Sequence, residues 1–382
     1  VFPGSDQRAE AGVPAAVQLQ HAPVGGAGRT RGRCRRHSGG SSPGRLPQLR
    51  PPGGTGVSAP SRLGVIGVGA LGWHHARHLA AMSGVELVGV YDIRPERAQE
   101  VAAALGTSAF SSREALLDRV EGAIVAVPTV SHVEVGLAAL EAGVAVFLEK
   151  PMASTLTEAD RLVAAAESTG LVMQIGHIER FNPIVRAARH LIEHPLFIEG
   201  ERLAPFQPRG TDVPVVLDLM IHDLDLILHL AGDPLHVEIR ANGAAVLSPL
   251  LDVAHARVEF ASGLVASVTA SRIAQERLRR LRIYQEEGYL SLDLATGRGE
   301  FLRHRRGWIP EETGPLADVA ERVVIEARPE DALRLELDSF LAAVRGEAGP
   351  AVTAREGRAA LELALRVTDA VHLATFLAAP DE

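Results

Sequence analysis

Residues Arg62–His75 read RLGVIGVGALGWHH, and this stretch decides the fold. A short β-rich run, Arg62–Val68, meets Gly67-Val68-Gly69-Ala70-Leu71-Gly72, and a helical pattern follows to Met82. A bare GxGxxG says little. Here it follows a strand, opens a helix, and has Asp92 twenty residues beyond Gly72, at the end of a second β-rich run, VELVGVYD. That context is the dinucleotide-binding fingerprint. Gly67 makes the tight turn, Gly69 lets the backbone approach a pyrophosphate, and Gly72 lets helix and strand pack closely. The free N–H groups of the helix start, with Val68, Ala70 and Leu71 between the glycines, favour an anion. An Asp92 carboxylate accepts from both ribose hydroxyls and repels a 2′-phosphate, so NAD is expected over NADP, with Arg94 close by as the one opposing charge.

Outward from this turn the pattern repeats. A helix is expected over Pro95–Leu105, a strand at GAIVAVP, a helix over Ser131–Ala142, a strand at VAVFLEK, a helix over Thr155–Ser168 and a strand at LVMQIGH. Strands alternating with helices of this length make βαβ units and a doubly wound parallel sheet. After about Phe181 the pattern changes. Helices are expected near Pro183–His194 and over Val215–Leu230, followed by strands LHVEIRAN, DVAHARVEF, GLVASVTAS, RLRIYQ, YLSLDL and EFLRH, with hairpin turns at FASGLV and QEEGYL. VAHARVEF puts His255, Arg257 and Glu259 on one face and Ala254, Ala256, Val258 and Phe260 on the other. Two helices, about Asp331–Arg345 and Thr353–Leu377, close the chain. The fold class is α/β: a Rossmann domain over 62–181, then an α+β substrate-binding and oligomerisation domain over 182–382 with an open antiparallel sheet. A sheet with one face uncovered is expected to make a homodimer or homotetramer.

Residues 1–61 read as a disordered leader, rich in Gly, Pro, Ser and Arg and without apolar period. The chain opens on Val1 and not on Met, which reads as a start placed too far upstream or a fragment. The leader holds eight arginines against two acidic residues, while the rest carries 31 basic and 45 acidic residues. An acidic body argues against nucleic-acid binding. Cys34, the sole cysteine, lies in the leader, which excludes a disulfide framework and a cysteine metal site and suits a reducing, cytoplasmic setting. No apolar run is long enough for a membrane span.

Of 39 basic residues, one is lysine: Lys150, in VAVFLEKPMA. Arginine replaces lysine where only charge is needed, but not where a compact ammonium must enter a tight site. In PVVLDLMIHDLDLILHLAG, Asp218, His222, Asp225 and His229 stand at i, i+4, i+7 and i+11, within about 60° of one another on an ideal helix. Such a polar stripe on an apolar helix is paired or functional when buried. Three readings stand: His222 as general base with Asp218 orienting it, a divalent-metal site, or a satisfied core network. No further ligand cluster accompanies the pair, so no metal is expected.

These signals together resemble the Gfo/Idh/MocA family of NAD(P)-dependent sugar oxidoreductases. The resemblance rests on Gly67–Gly72 leading to His75, on VPTVSHVEVGLAALEAGV with Pro128, Thr129 and His132, on Glu149-Lys150-Pro151, and on Asp218-x-x-x-His222-x-x-Asp225. It covers Arg62 to about Leu377. It implies NAD as cofactor, a nicotinamide side lined by Pro128, Thr129, His132 and Glu149, and Lys150 between nicotinamide and sugar, where its ammonium stabilises developing oxyanion character. His222 would take the hydroxyl proton as a sugar CH–OH becomes a ketone.

GHIERFNP, PFQPRGTDV and VLDLMIHDLDLIL look most like the branch that oxidises C3 of UDP-N-acetylglucosamine, whose ketone a partner aminotransferase then aminates for lipid A or surface polysaccharide. In that light Arg180, Asn182 and Asp225 contact the nucleotide-sugar. Arg180 and Asn182 read equally well as a surface ion pair and an N-cap before Pro183. The alternatives are a free-sugar or inositol dehydrogenase of the same family, and a non-enzymatic NAD(H)-sensing regulator, which would not need Lys150 or His222.

Overall fold

The computed structural model describes residues 59–207, 213–232, 237–305, 307, 309 and 314–378. Residues 1–58 of the expected leader, with Cys34, and Pro208–Asp212 of PFQPRGTDV lie outside the described residues.

The first sheet holds β1 (Ser61–Ile66), β2 (Val85–Tyr91), β3 (Ser108–Ala109), β4 (Gly122–Val125), β5 (Ala145–Glu149) and β6 (Met173–Gly176). Its order is β3-β2-β1-β4-β5-β6, with every pair parallel. The connecting helices are α1 (Ala70–Ala81), α2 (Pro95–Leu105), α3 (Arg113–Leu117), α4 (His132–Glu141) and α5 (Leu156–Thr169). Local chemistry sets their ends. Pro95 opens α2, Ser112 caps α3, and Thr155 with Glu158 forms a capping box on α5. Gly106 and Gly170 end α2 and α5 in the left-handed conformation. The order reverses between β1 and β4. In such sheets ligands bind beyond the strands' carboxyl ends at that switch point. Gly67, Asp92, Lys150 and His177 each lie one residue past a strand end.

A short helix, α6 (Pro183–Ala188), leads to the second sheet: β7 (Phe197–Leu203), β8 (Val237–Ala244), β9 (Val253–Phe260), β10 (Val265–Ser271), β11 (Leu278–Gln285), β12 (Gly288–Asp293), β13 (Arg298–His304) and β14 (Ala320–Glu326). Its order is β14-β13-β12-β11-β7-β10-β9-β8. The sheet expected to be antiparallel is mixed, because β7 runs parallel to β10 at its centre. Two of its strands, β7 (FIEGERL) and β14 (AERVVIE), are absent from the sequence reading: their charges mask the β pattern.

The helices are α7 (Ile221–Ala231), preceded by a π-helical turn over Val216–Met220, then α8 (Leu316–Val319), α9 (Ala332–Val344) and α10 (Ala354–Ala378). Helices α7 and α10 join the sheet's inner face, where Ala254, Ala256, Ala266 and Ala270 are fully buried and let them approach closely. Helix α9 packs elsewhere. Its Leu337, Phe340 and Leu341 share a core with Leu63, Val65 and Phe147 of the first sheet, so packing crosses the sequence division at 181/182. No helix among the described residues is long and apolar enough to cross a membrane.

Candidate functional site

At the glycine turn the three glycines do different work. Gly67 has φ +84°, and a Cβ there would lie 2.7 Å from the Ala126 carbonyl oxygen. A Cβ on Gly72 would lie 1.9 Å from the Gly67 carbonyl oxygen. Both are thus required by the chain itself. A Cβ on Gly69 meets nothing within 4 Å, so protein packing does not explain that glycine, and the space beside it is open to a ligand. The first turn of α1 has neither a capping side chain nor an acidic residue, which leaves its N–H groups for an anion.

Asp92 is nearly buried, accepts from the Val68 N–H at 2.9 Å and from the Arg94 N–H at 3.0 Å, and has the exposed Arg94 Nε at 3.3 Å. Oδ2, with the Val68 N–H as its one donor, keeps a lone pair for a ribose hydroxyl, while Oδ1 is engaged twice by Arg94. These residues fit an adenine dinucleotide. NAD is expected to bind more tightly than NADP, and Asp92→Ser to narrow that preference by roughly tenfold, the effect of one charge-assisted hydrogen bond. Parallel titrations of both cofactors check this; equal affinity in the unaltered protein would contradict it.

Two of the expected cofactor-lining residues are buried and bonded within the chain. His132 is buried with Nδ1 2.8 Å from the Pro151 carbonyl and Nε2 3.0 Å from the Val127 carbonyl, so it ties the β4 and β5 ends together. Glu149 is also buried. One oxygen lies 2.6 Å from His75 Nε2, and the other accepts from the Lys150 N–H at 3.2 Å. Burial alone would raise the Glu149 pKa, but the bond and charge of His75, with Lys150, hold it below the usual range. Pro128 and Thr129 start the 3₁₀ turn after β4, beside the glycine loop.

Lys150 reaches across to the π-helical turn. Its Nζ donates to the Asp218 carbonyl at 2.7 Å and lies 3.5 Å from Asp218 Oδ1. A widened turn of this kind often marks a functional site. Here it gives Asp218 to the lysine rather than to His222. His222 Nδ1 is buried with no partner among the described residues, and no bond engages Nε2, which is the nitrogen left open. Burial, then the positive charges of Lys150 and Arg202, push the His222 pKa well below its usual value, so its imidazole is neutral at pH 7.

The three expected substrate contacts are occupied within the chain. Arg180 grips the fully buried Asp225 with two bonds of 2.8 and 2.7 Å and reaches Glu356 at 2.5 Å. Asn182 caps α6 through the Ile184 N–H at 3.2 Å and spends its amide hydrogens on Glu179 and the Leu294 carbonyl. The N-cap reading of Asn182 therefore describes its geometry. The Arg180 pair is buried rather than on the surface.

Sequence reading misses the groups whose burial only the tertiary fold creates. Arg202, on the inner face of β7, holds Asp223 with bonds of 2.7 and 2.8 Å and Glu179 with one of 2.7 Å. Glu336 on α9 is 1% exposed, and neither carboxyl oxygen has a partner among the described residues. Burial, then the charges of Glu149 and Asp225, push its pKa well above the usual value. A carboxyl that holds its proton more tightly when folded contributes stability below the unfolded pKa of about 4.3 and loses it as pH rises through the folded value. Glu336→Gln keeps the shape without the titration. It is expected to match the parent at pH 4 and to exceed it increasingly above, by about 1.4 kcal/mol for each unit of upward shift. Urea denaturation across pH checks this, and a constant difference between the two proteins would rule it out.

Residues 61–177 match the oxidoreductase family with the NAD-binding Rossmann fold, and residues 201–291 match the GFO/IDH/MocA C-terminal domain. The chain belongs to the Gfo/Idh/MocA oxidoreductases and is an NAD-binding enzyme of that family. It is 40% identical over 316 residues to a UDP-N-acetylglucosamine 3-dehydrogenase of Acidithiobacillus ferrooxidans, covering 81% of this chain and 97% of that one. The solved structure of that dehydrogenase superposes with a TM-score of 0.76, over 82% of this chain and 97% of the other. A scyllo-inositol 2-dehydrogenase (NAD(+)) of Bacillus subtilis is 28% identical, covering 81% of this chain and 93% of its own length. Among the described residues no group of three or more His, Cys, Asp or Glu is placed to hold a metal.

Proposed function

We propose that this enzyme oxidises the C3 hydroxyl of UDP-N-acetylglucosamine in the cytoplasm, giving a 3-keto sugar that an aminotransferase consumes. The observation that carries the reading is the meeting of the Lys150 ammonium, its Asp218 anchor and the open nitrogen of a neutral His222 beyond the carboxyl end of β5. The substrate assignment rests on the likeness to the Acidithiobacillus enzyme over nearly its whole length. The glycine turn Gly67–Gly72 and Asp92 would hold NAD, which would supply the hydride acceptor. His222 Nε2 accepts the hydroxyl proton, which a neutral imidazole can do and an imidazolium cannot. Lys150, aimed by the Asp218 carbonyl, donates to the substrate oxygen and stabilises negative charge as the proton leaves. The Arg180–Asp225 pair fixes α7 against the segment after β6, which holds His222 in place.

The test incubates the purified protein with NAD and, separately, UDP-N-acetylglucosamine, UDP-glucose, scyllo-inositol and myo-inositol. NADH formation and a 3-keto product with the first substrate alone support the reading. Turnover of the inositols alone favours the second reading, which the Bacillus relative suggests.

We also propose assembly into a dimer or tetramer through the open face of the second sheet. That face carries an aromatic row, Phe197, Tyr284 and Tyr289, with ring centroids 5.5 and 4.8 Å apart, flanked by Arg282 between Glu199 and Glu201. Such a rigid aromatic centre with a charged rim suits an interface.

A further inference from the structure

His177 follows β6 and lies beside Lys150, since Glu149 and Gly176 are register partners on adjacent parallel strands. It is 1% exposed, and neither ring nitrogen has a hydrogen-bond partner among the described residues. Its Nδ1 stands 3.9 Å from Asp225 Oδ2, too far for a direct bond, and Asp225 is held in place by both forks of Arg180. One turn before Asp225 on α7 stands His222, whose inward Nδ1 also lacks a partner. His177 is close enough to act electrostatically on His222, and Lys150 acts on both rings.

Two buried imidazoles with three unpartnered nitrogens between them are costly unless an ordered water joins them. A general base also needs its second nitrogen engaged, because that bond fixes which nitrogen keeps the lone pair. Asp218 does not do this, being turned to Lys150.

We propose that His177 is the positioning residue for His222: through one ordered water it accepts from the His222 Nδ1–H, leaving the Nε2 lone pair for the substrate hydroxyl. This rests on His222 being the base. The surrounding charges suit the role. Burial, then Arg180 and Lys150, keep His177 neutral against the pull of Asp225 and Glu149, so it has a lone pair to offer. Around His222 stand Lys150, Arg202 and Arg279, which disfavour a second proton on its ring before substrate arrives.

Two measurements test this on the full-length protein. The first uses ¹⁵N-labelled histidine in the NAD-bound protein, without turnover. His222 is expected as the neutral Nδ1–H tautomer in the parent, and as a mixed or Nε2–H population in His177→Leu. The same tautomer in both overturns the proposal, whatever the substrate proves to be. The second is kinetic, on the substrate found active. His177→Leu should lower kcat about 10- to 100-fold, with sugar KM and NAD affinity within about twofold, and move the acid limb of kcat/KM to lower pH, because the acceptor that stabilises a proton on His222 through its Nδ1–H is gone. His177→Gln, which keeps an acceptor, should recover part of kcat. A folded His177→Leu protein with unchanged kcat and pH profile overturns the proposal, as does a His177→Gln protein no better than His177→Leu.

Discussion

Lys150→Arg is expected to lower kcat by at least about 10²-fold while NAD still binds and the fold survives. The substitution keeps the charge, so long-range attraction of the cofactor's phosphates is unchanged. What changes is the shape of the donor. The ammonium fits between the β5 end and the π-helical turn with only 16% of the side chain exposed, one bond going to the Asp218 carbonyl at 2.7 Å. That contact uses one of three donors and leaves two for a substrate oxygen. A guanidinium is planar and wider. To keep the Asp218 bond it must project its fork into the space the reacting carbon needs, and to avoid that space it must give up the bond. In either case the donor that meets developing oxyanion character is misplaced, and the loss falls on kcat more than on KM. Steady-state kinetics on the preferred sugar, with NAD affinity measured separately, check this. Turnover near the parent rate would show that the lone lysine serves charge only. An equal loss of NAD affinity would show that the substitution damages the cofactor site instead.

The reasons these residues were legible differ from element to element. The nucleotide-binding half announces itself because local chemistry and tertiary role coincide there: Gly72 is demanded by the Gly67 carbonyl within its own βα unit, and Gly67 by its positive φ as well as by the Ala126 carbonyl after β4. Lys150 was legible as a compositional exception, and His222 through a polar stripe on an apolar helix. The same stripe does not show which partners Asp218 and Asp225 take. An ideal helix groups all four residues, but the π-helical turn over Val216–Met220 shifts the phase, handing Asp218 to Lys150 and leaving Asp225 to Arg180. His177 and Glu336 carry no local signal. One sits at a strand end like any solvated turn residue; the other sits on a helix whose charges read as an exposed face. Their burial comes from α7 and α9 arriving from far along the chain.

Arg202 is the strongest case of such non-local burial, and Arg202→Ala is expected to cost about 3–5 kcal/mol of stability. Its guanidinium lies on the inner face of β7, under α7, and makes two bonds to Asp223 and one to Glu179, all 2.7 or 2.8 Å. The ion triad joins the second sheet, the helix that carries His222 and the segment that follows His177. Removing one partner of a buried pair costs more than the pair is worth, because the remaining charges stay out of water. Here two carboxylates would face each other, with Arg279 3.6 Å from Glu179 as the nearest remaining cation. Burial already pushes the Asp223 pKa up against the pull of Arg202, and without that pull both acids should hold protons. The sign of the pH effect follows. In the variant, folded Asp223 and Glu179 bind protons more tightly than when unfolded, so its deficit should shrink as pH falls toward 5 and widen toward 8. Urea midpoints at both pH values, with unchanged m, check this. A loss below about 1 kcal/mol, or a deficit that grows on acidification, would mean that water reaches the triad and that Arg202 is a surface charge in effect. If the triad holds, Arg202→Ala should also lower kcat, since α7 then loses one of the two ion pairs that set the position of His222.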